Sequence, residues 1–397
     1  MTRFVGIALL GLGLVFNKWL LEATVVPDGI ITSRGFLASI VAVQLVLVSL
    51  GCWIILKRPT LDLLSWANWL LLTASVCLSI AAVEVALRLF AKSSAFRAPP
   101  RAVVGEFQNR PSRNFVVDPR TGWRMRPGVQ FRWTIEDGTH DYQANRLGFR
   151  SPHDFEADMA EPTIALVGES FTFGTGVEYG VTYGALIEAN LASGTVLNFA
   201  MPGFGLDQMW MSIRHQVILL KPDLVVVGFV DEDFGRSLTA FRPGEGFNKP
   251  TFELDANTRL RPQRPADRPH AIVRFLERHS ALWNLANVWL RNLSYHWPMG
   301  EWLVKNAALI EAMVSDARSA EIPIVIVRIP NRAWRPFPTL RARLQENGVP
   351  YLDLADPGLR PQTDLHFKSG SHINTAGHAF VARHLGRWLD SANVLTF

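Results

Sequence analysis

Cysteine is scarce in this sequence, and a strong excess of one charge is missing. The 397 residues include two cysteines, Cys52 and Cys77, which excludes a small disulfide-stapled scaffold. Forty Lys and Arg residues stand against 35 Asp and Glu, a net charge of +5, and no basic run is interleaved with aromatic residues. So weak a positive field argues against a nucleic-acid partner. No internal repeat or low-complexity tract is visible, so a disordered or collagen-like chain is excluded as well.

Two long apolar runs predict membrane-spanning helices near the start of the chain. Gly35–Leu56 has 22 residues without a charge, and a hydrocarbon core of about 30 Å needs about 20 such residues. Trp69–Leu89 is apolar except for Glu84 and Arg88, whose spacing of four lets them pair on one helix face. Residues 1–91 are therefore predicted to form a transmembrane anchor.

A third apolar run, Phe4–Leu21, is interrupted by Asn17 and Lys18. It follows Arg3 as the core of a signal peptide would, but no small-residue cleavage site comes after it. An uncleaved helix is the preferred interpretation, which gives the anchor two to three helices.

Basic residues predict how this anchor is oriented. Lys57 and Arg58 follow the run Gly35–Leu56, whereas the loop before that run offers Arg34 alone. Since Lys and Arg accumulate in cytoplasmic loops, residues 57–67 are expected in the cytoplasm and the chain beyond about residue 92 outside. Both cysteines lie inside the predicted spans, so the outer domain has no disulfide and no thiolate metal ligand.

Residues 116–397 predict an α/β domain, preceded by a polar linker at 92–115. Residues 129–150 have the pattern of a β-hairpin with its turn at 136–139. Apolar runs then alternate with amphipathic stretches, which favours a doubly wound parallel sheet whose site lies at the carboxyl ends of the strands. A polar insertion at about 235–302 is expected near that site. The apolar runs are Thr163–Val167, Thr195–Ala200, Leu224–Val230, Ile322–Val327 and Val349–Leu354.

A serine and a histidine follow the first and the last of these predicted strands. Ser170 opens a helix-like segment directly after its strand, where its own N–H can face a developing oxyanion. Thr172 stands where the Gly-x-Ser-x-Gly nucleophile elbow has its second glycine, and a helix N-cap is the alternative role for this serine. His372 lies on a loop at the same edge of the sheet and is a candidate general base.

Three blocks of the sequence, in the same order, resemble those of the SGNH/GDSL hydrolases. The resemblance covers about 115–392 and implies a three-layer, flavodoxin-like fold. A lead-in before the first block is similar to that of membrane-anchored bacterial members, which implies the bacterial inner (cytoplasmic) membrane. The matching segments are Gly168–Gly174 with Val177, Asn198–Gly205, His372–His378, and the lead-in Gly122-Trp123 and Asn145–Arg150.

The resemblance also implies roles for individual residues. Ser170 would be the nucleophile and His372 the base, and the N–H groups of Ser170 and Gly203 would hold the oxyanion. No cofactor and no metal is implied. A metal is the alternative for several acidic and imidazole groups near the end of the chain, but their spacing matches no metal motif, and loop capping is favoured instead. These are Asp353, Asp356, Asp364, His366 and His372.

Three departures from the family pattern bear on catalysis. Glu169 replaces the aspartate before the serine, and Glu232 stands where a side-chain amide is expected, although an ionised carboxylate cannot donate to an oxyanion. The acid that usually precedes the histidine by two or three residues is missing, since Ser369 and Gly370 occupy those places. His372 would then be oriented by a backbone carbonyl, by Ser369, or by an acid from elsewhere. The residues expected to line the site are Glu232, Asp233 and Asp364.

These observations favour a membrane-anchored, extracytoplasmic serine esterase that acts on acyl esters of cell-envelope glycans or lipids. An O-acyltransferase is one alternative, because a sugar hydroxyl can replace water in the second step. A non-catalytic binding or assembly module of the envelope is the other, and it is favoured by Glu232 and by the missing acid. The sequence leaves the substrate and the oligomeric state undetermined.

Overall fold

The chain forms two compact units in the computed structural model. One unit comprises Met1–Asn109, Phe241–Gly246 and Ala266–Pro298, and the other comprises Arg110–Ala240, Phe247–Pro265 and Met299–Phe397. The predicted insertion at 235–302 is thus divided between them, and nearly all of the predicted linker at 92–115 lies outside the described residues. The residues that the structure describes are 2–24, 34–57, 66–90, 114–155, 159–237, 249–254, 260–263, 275–276, 279–283, 299–332 and 337–391.

The N-terminal unit contains four helices at its start. They are α1 (Thr2–Val15), α2 (Lys18–Thr24), α3 (Arg34–Lys57) and α4 (Trp66–Phe90). The run that contains Asn17 is split into α1 and α2, because the Asn17 side chain accepts the N–H of Leu20 at 2.9 Å. Within the described residues, one helix is long and apolar enough to cross a membrane by length and composition, Leu37–Lys57 in α3.

A carboxylate near the end of α4 is bound to a later part of the same unit. Arg88 donates to Glu84 at 2.7 Å, the pair that the spacing predicts. Glu84 also accepts the N–H groups of Ala281 and Leu282, at 2.8 and 2.9 Å, and the hydroxyl of Ser280 at 2.9 Å. It therefore caps the helical turn at 281–283 and attaches this part of the chain to α4.

A five-stranded parallel sheet is the centre of the second unit. The strands of this unit are β1 (Phe115–Asp118), β2 (Gly122–Met125), β3 (Gln130–Ile135), β4 (Gly138–Gln143), β5 (Thr163–Gly168), β6 (Thr195–Asn198), β7 (Leu224–Phe229), β8 (Thr251–Leu254), β9 (Leu260–Gln263), β10 (Ile324–Arg328) and β11 (Tyr351–Asp353). The parallel sheet has the order β11-β10-β7-β5-β6, which is the flavodoxin-like order 2-1-3-4-5, and the predicted doubly wound fold is confirmed.

Helices cover both faces of the sheet, which is why its inner strands are apolar throughout. All six residues of β7 are buried. The helices of this unit are α5 (Ser170–Phe173), α6 (Tyr183–Asn190), α7 (Leu206–Ser212), α8 (Glu232–Arg236), α9 (Met299–Ser319), α10 (Pro338–Glu346) and α11 (Thr375–Ser391). On one face, β5, β7 and β10 share a core with α6 and α11. The helices α7 and α9 pack against each other.

The predicted hairpin is formed by β3 and β4, and its turn is shorter than the sequence suggests. Ile135 pairs with Gly138, which leaves Glu136 and Asp137 as a two-residue turn. Glu136 adopts φ 55°, in the left-handed region that turns usually fill with Gly, Asn or Asp.

A buried arginine fixes this hairpin against the segment that follows α5. The Arg150 guanidinium donates to the carbonyls of Phe173, Gly174 and Val177, at 3.1, 2.5 and 2.8 Å. It also lies over the Tyr142 ring, 4.2 Å from its centroid, and that ring stacks on Phe173. The hairpin is therefore held in place by contacts outside the central sheet.

Candidate active site

The segment after β5 leaves the Ser170 hydroxyl available for chemistry. Ser170 is the first residue of α5, and the N-cap is Glu169, whose carboxylate accepts the N–H of Phe171 at 3.0 Å. The N-cap role that the sequence offered as an alternative for Ser170 thus belongs to its neighbour. A side chain at Gly168 would overlap Thr172, so this glycine lets α5 begin directly on the strand end.

Thr172, the departure from the nucleophile elbow, fastens α5 to its surroundings. Its hydroxyl accepts a hydrogen bond from the Tyr183 hydroxyl at 3.0 Å and lies 3.5 Å from the carbonyl oxygen of Gly228 on β7. The threonine therefore connects the serine turn to α6 and to the neighbouring strand.

The structure brings Ser170 and His372 together. The Oγ of Ser170 lies 2.9 Å from Nε2 of His372, and both residues are buried. The His372 loop is held by a bridge between His366 and Ile373, and the Phe171 ring packs 5.2 Å from the imidazole. This distance allows Ser170 to donate its proton to His372.

The acid that orients His372 comes from the hairpin turn. Nδ1 of His372 lies 2.5 Å from Oε1 of Glu136. The next residue, Asp137, accepts the N–H of Lys368 at 3.2 Å and also binds the Ser369 hydroxyl, so the turn is attached to the histidine loop. Of the three partners that the sequence left open for His372, the structure shows an acid from elsewhere, whereas Ser369 binds Asp137 instead.

Glu136 is almost fully enclosed at this position. Its second oxygen, Oε2, is buried and has no hydrogen-bond partner among the described residues. A Cβ at Gly370 would overlap the Glu136 carboxylate, so the glycine makes room for it. An unpaired buried carboxylate oxygen is costly unless a positive charge forms beside it, as happens when His372 takes up a proton.

Two backbone N–H groups remain as donors for an oxyanion. Neither the N–H of Ser170 nor that of Gly203 has a partner in the described part of the chain. Gly203, at φ 82°, occupies a tight turn in which Phe204 donates to the carbonyl of Met201. Trp123 donates through its indole nitrogen to the Pro202 carbonyl at 3.1 Å, so the lead-in segment supports this turn.

The other predicted site residues lie in different surroundings. Glu232 is exposed at the start of α8, where the Asn331 amide donates to it at 3.4 Å. Asp364 accepts the N–H of His366 at 3.1 Å and so stabilises the loop without contacting His372. Asp233 is fully buried and accepts the N–H of Val230 at 2.8 Å.

Two buried carboxyls share one guanidinium beside the serine. Arg236 lies 2.5 Å from Asp233 and 3.7 Å from Glu169. Burial raises the pKa of both carboxyls, although the guanidinium opposes that shift. Oε2 of Glu169 also lies 2.6 Å from Oγ of Ser170.

Two further histidines have structural roles. His378 is fully buried, accepts the N–H of Tyr183 at 3.2 Å, and has its pKa lowered to about 3 by burial. Burial also lowers the pKa of His366, whose Nε2 lies 3.2 Å from the Pro330 carbonyl. Within the described residues, no three His, Cys, Asp or Glu side chains cluster as metal ligands would.

Glu136 is the functional candidate that the sequence analysis did not identify. It precedes Ser170 by 34 residues and lies outside every block that resembles the hydrolase family. The one local signal is a glutamate at a hairpin-turn position that normally favours Gly, Asn or Asp.

The comparisons with known proteins found similarity to solved structures only. No protein-family model and no curated protein sequence matches this chain. A GDSL-like lipase from Bacteroides thetaiotaomicron is similar at 13% identity and TM-score 0.35, over 58% of this chain and 89% of its own. A lipase/acylhydrolase from Enterococcus faecalis is similar at 14% identity and TM-score 0.34, over 58% and 97%. A two-domain esterase active on acetylated mannans is similar at 12% identity and TM-score 0.36, over 59% and 50%.

The first of these solved structures carries the name of the family that the three sequence blocks resemble. At TM-scores of 0.34 to 0.36 they do not decide what this chain does. The fold is established by the order of the strands.

Proposed function

We propose that this chain is a membrane-anchored serine ester hydrolase of the SGNH type. The observation that carries the proposal is one connected set of contacts, from Ser170 through both nitrogens of His372 to Glu136. A hydroxyl, an imidazole and a carboxylate in this order form the arrangement that activates a serine for attack on a carbonyl.

The first chemical step forms an acyl-enzyme. Ser170 Oγ bonds to the ester carbonyl carbon while its proton passes to Nε2 of His372, and the carbonyl π electrons move to the oxygen. We expect the N–H groups of Ser170 and Gly203 to donate to that oxyanion, and one such donor contributes about 10²–10³-fold to kcat in serine hydrolases. When the carbonyl re-forms, the ester C–O bond breaks and the leaving alcohol takes the proton from His372.

Water completes the cycle by the same route. His372 accepts a proton from water as the water oxygen bonds to the acyl carbon. When the second tetrahedral intermediate collapses, the bond between that carbon and Ser170 Oγ breaks, the acid leaves, and His372 returns the proton to Oγ. Glu136 holds the Nδ1–H tautomer and stabilises the imidazolium in both steps.

The contacts of the site weaken the case for a non-catalytic module. That alternative rested on a missing acid and on a carboxylate in the oxyanion hole. Glu136 supplies an acid, and Glu232 is exposed and hydrogen-bonded to Asn331.

A membrane location is supported by the composition of the N-terminal helices. Leu37–Lys57 has the length and hydropathy of a span, and α4 exposes a large set of apolar side chains that water would disfavour. With Lys57 and Arg58 on the cytoplasmic side, the site would face the outside, where acylated envelope glycans or lipids are the available esters. These side chains are Leu70, Leu71, Val76, Leu78, Ile80, Val83 and Val85.

The test is turnover of a small acetyl ester by the purified full-length protein. We expect Ser170→Ala and His372→Gln to abolish hydrolysis, and a fluorophosphonate probe to label the wild type and not Ser170→Ala. Equal turnover by the wild type and Ser170→Ala would refute the proposal. An acetylated oligosaccharide as substrate, with and without an added acceptor glycan, would separate hydrolysis from acyl transfer.

A further inference from the structure

The hydroxyl of Ser170 has two partners rather than one. Oε2 of Glu169 lies 2.6 Å from Oγ, and Nε2 of His372 lies 2.9 Å from the same atom. With the contact between His372 and Glu136, four groups form an unbroken chain joined by three hydrogen bonds. A serine hydroxyl has one proton, so it can donate to one of its two partners and must accept from the other.

If the proton between His372 and Glu136 belongs to His372, counting protons leaves two arrangements of this chain. In the first, Glu169 is a neutral acid that donates to Ser170, Ser170 donates to His372, and neutral His372 donates to Glu136. In the second, His372 is a cation that donates to both Ser170 and Glu136, and Ser170 donates to ionised Glu169. Both contain three protons in hydrogen bonds, but in the second His372 cannot accept the proton that attack requires.

We propose that Glu169 is held as a neutral carboxylic acid that donates its proton to Ser170 Oγ and thereby directs the Ser170 proton to His372. The role of this proton in catalysis rests on the proposed esterase function, whereas the protonation state of Glu169 can be measured without turnover.

The surroundings of Glu169 favour the neutral form. The side chain is fully buried, where an ionised carboxylate is strongly disfavoured. The charged or titratable groups that face it are Arg236 and Asp233 of α8, Tyr183 of α6 and His372.

Geometry assigns the shared guanidinium to Asp233 rather than to Glu169. Arg236 lies 2.5 Å from Oδ1 of Asp233, a charge-assisted hydrogen bond, and the N–H of Val230 donates to Oδ2. Glu169 lies 3.7 Å from Arg236, beyond hydrogen-bond distance. One guanidinium cannot neutralise two buried carboxylates, so Glu169 is the one that keeps its proton.

A neutral Glu169 also suits the transition state. Once Ser170 has given its proton to His372, the Glu169 hydroxyl still donates to Oγ as the new bond to carbon forms. An ionised carboxylate at that distance would instead repel the negative charge that develops on Oγ as its proton leaves. Arg236 and Asp233 therefore act as positioning residues, because they affect the serine through the charge of Glu169.

Infrared spectroscopy with carbon-13 at the glutamate carboxyls tests the protonation state directly. At neutral pH we expect a labelled carboxylic-acid carbonyl band in the wild type that is lost in Glu169→Gln. In Ser170→Ala the band should persist at a shifted frequency, because its acceptor is gone. A wild-type spectrum without a protonated glutamate, or a band that survives in Glu169→Gln, would overturn the inference even if the protein is an active esterase.

Kinetics then test what the proton does. Gln retains an N–H donor to Ser170, whereas Met has a similar size and none, so we expect kcat of Glu169→Gln to exceed that of Glu169→Met by about tenfold at equal KM. The wild type should lose activity at high pH as Glu169 ionises, and Glu169→Gln should not. Equal kcat values and identical pH profiles in Glu169→Gln and Glu169→Met would contradict the inference. If the wild type shows no turnover that depends on Ser170, the proposed function is refuted, and the infrared spectra alone then decide whether Glu169 is protonated.

Discussion

Oε1 of Glu136 lies 2.5 Å from Nδ1 of His372, although 236 residues separate them in the chain. The carboxylate reaches the imidazole from a hairpin turn, while the nucleophile and the base follow strands of the central sheet. The arrangement of a serine hydrolase is thus completed by an element outside that sheet.

Replacing Glu136 with Gln should lower kcat by about 10²–10⁴-fold with little change in KM, because the amide can stabilise the wrong imidazole tautomer. Steady-state hydrolysis of an acetyl ester measures this. Glu321→Gln is a matched control, since Glu321 is an exposed glutamate that also adopts positive φ, at 61°. Full activity in Glu136→Gln would show that this carboxylate does not orient the histidine.

Gly370→Ala should displace the same carboxylate without removing it. The added methyl group would overlap Glu136, so we expect kcat to fall by at least tenfold while the protein remains folded. Gly180→Ala is the control, because a Cβ there meets nothing within 4 Å. If both alanine variants retain wild-type kcat, the close contact between Gly370 and Glu136 is not needed for catalysis.

Trp123→Phe should affect the oxyanion hole through the backbone. It removes the hydrogen bond to the Pro202 carbonyl, next to Gly203, and one such bond corresponds to about fivefold in kcat. Trp210→Phe removes a comparable indole bond, to Asp316 at 2.8 Å, and should leave kcat unchanged. Equal kcat in both variants would argue against support of Gly203 by Trp123.

His378 should make the fold sensitive to acid. Its pKa is lowered from 6.5 to about 3, so between these values the unfolded state binds more protons than the folded state. Its contribution is fully present above pH 6.5 and is lost as the pH falls toward 3, at up to about 1.4 kcal/mol per pH unit.

Chemical unfolding of the wild type and His378→Gln from pH 7 to pH 4 measures this dependence. Gln can still accept the Tyr183 N–H but does not titrate, so the stability of the variant should fall less. The exposed histidine His153, replaced with Gln, serves as the control. Identical pH dependence in the wild type and His378→Gln would show that burial does not keep His378 neutral.

The fold could be predicted from the sequence, because its strands are buried on both faces. Each of the five apolar runs coincides with a strand of the parallel sheet, from Thr163–Gly168 to Tyr351–Asp353. Parallel strands share one carboxyl edge, and that edge places Ser170 and His372 side by side. Elements with strong local patterns were predicted to within a few residues.

The contact between Glu136 and His372 could not be predicted from the sequence, because the position of Glu136 depends on tertiary contacts that leave little local pattern. Asp137, Arg150 and Tyr142 hold the turn against distant loops, and of these three only Arg150 lies in a segment that resembles the hydrolases, at the end of the lead-in Asn145–Arg150. Glu232 was expected at the oxyanion because a sequence block gives the order of residues but not the direction in which a side chain points. Its neighbours Asp231 and Asp233 pair with Arg328 and Arg236, and Glu232 is left at the surface.

The origin of the acid in the hairpin determines how far the protein can be shortened. A fragment that starts at β5 would keep the whole parallel sheet, Ser170 and His372. It would lack both Glu136 and Arg150, whose guanidinium fixes the hairpin. We expect such a fragment to react slowly with a covalent probe and to hydrolyse esters poorly. The smallest active piece of this protein must therefore begin upstream of Gln130, well before the first residue of its sheet.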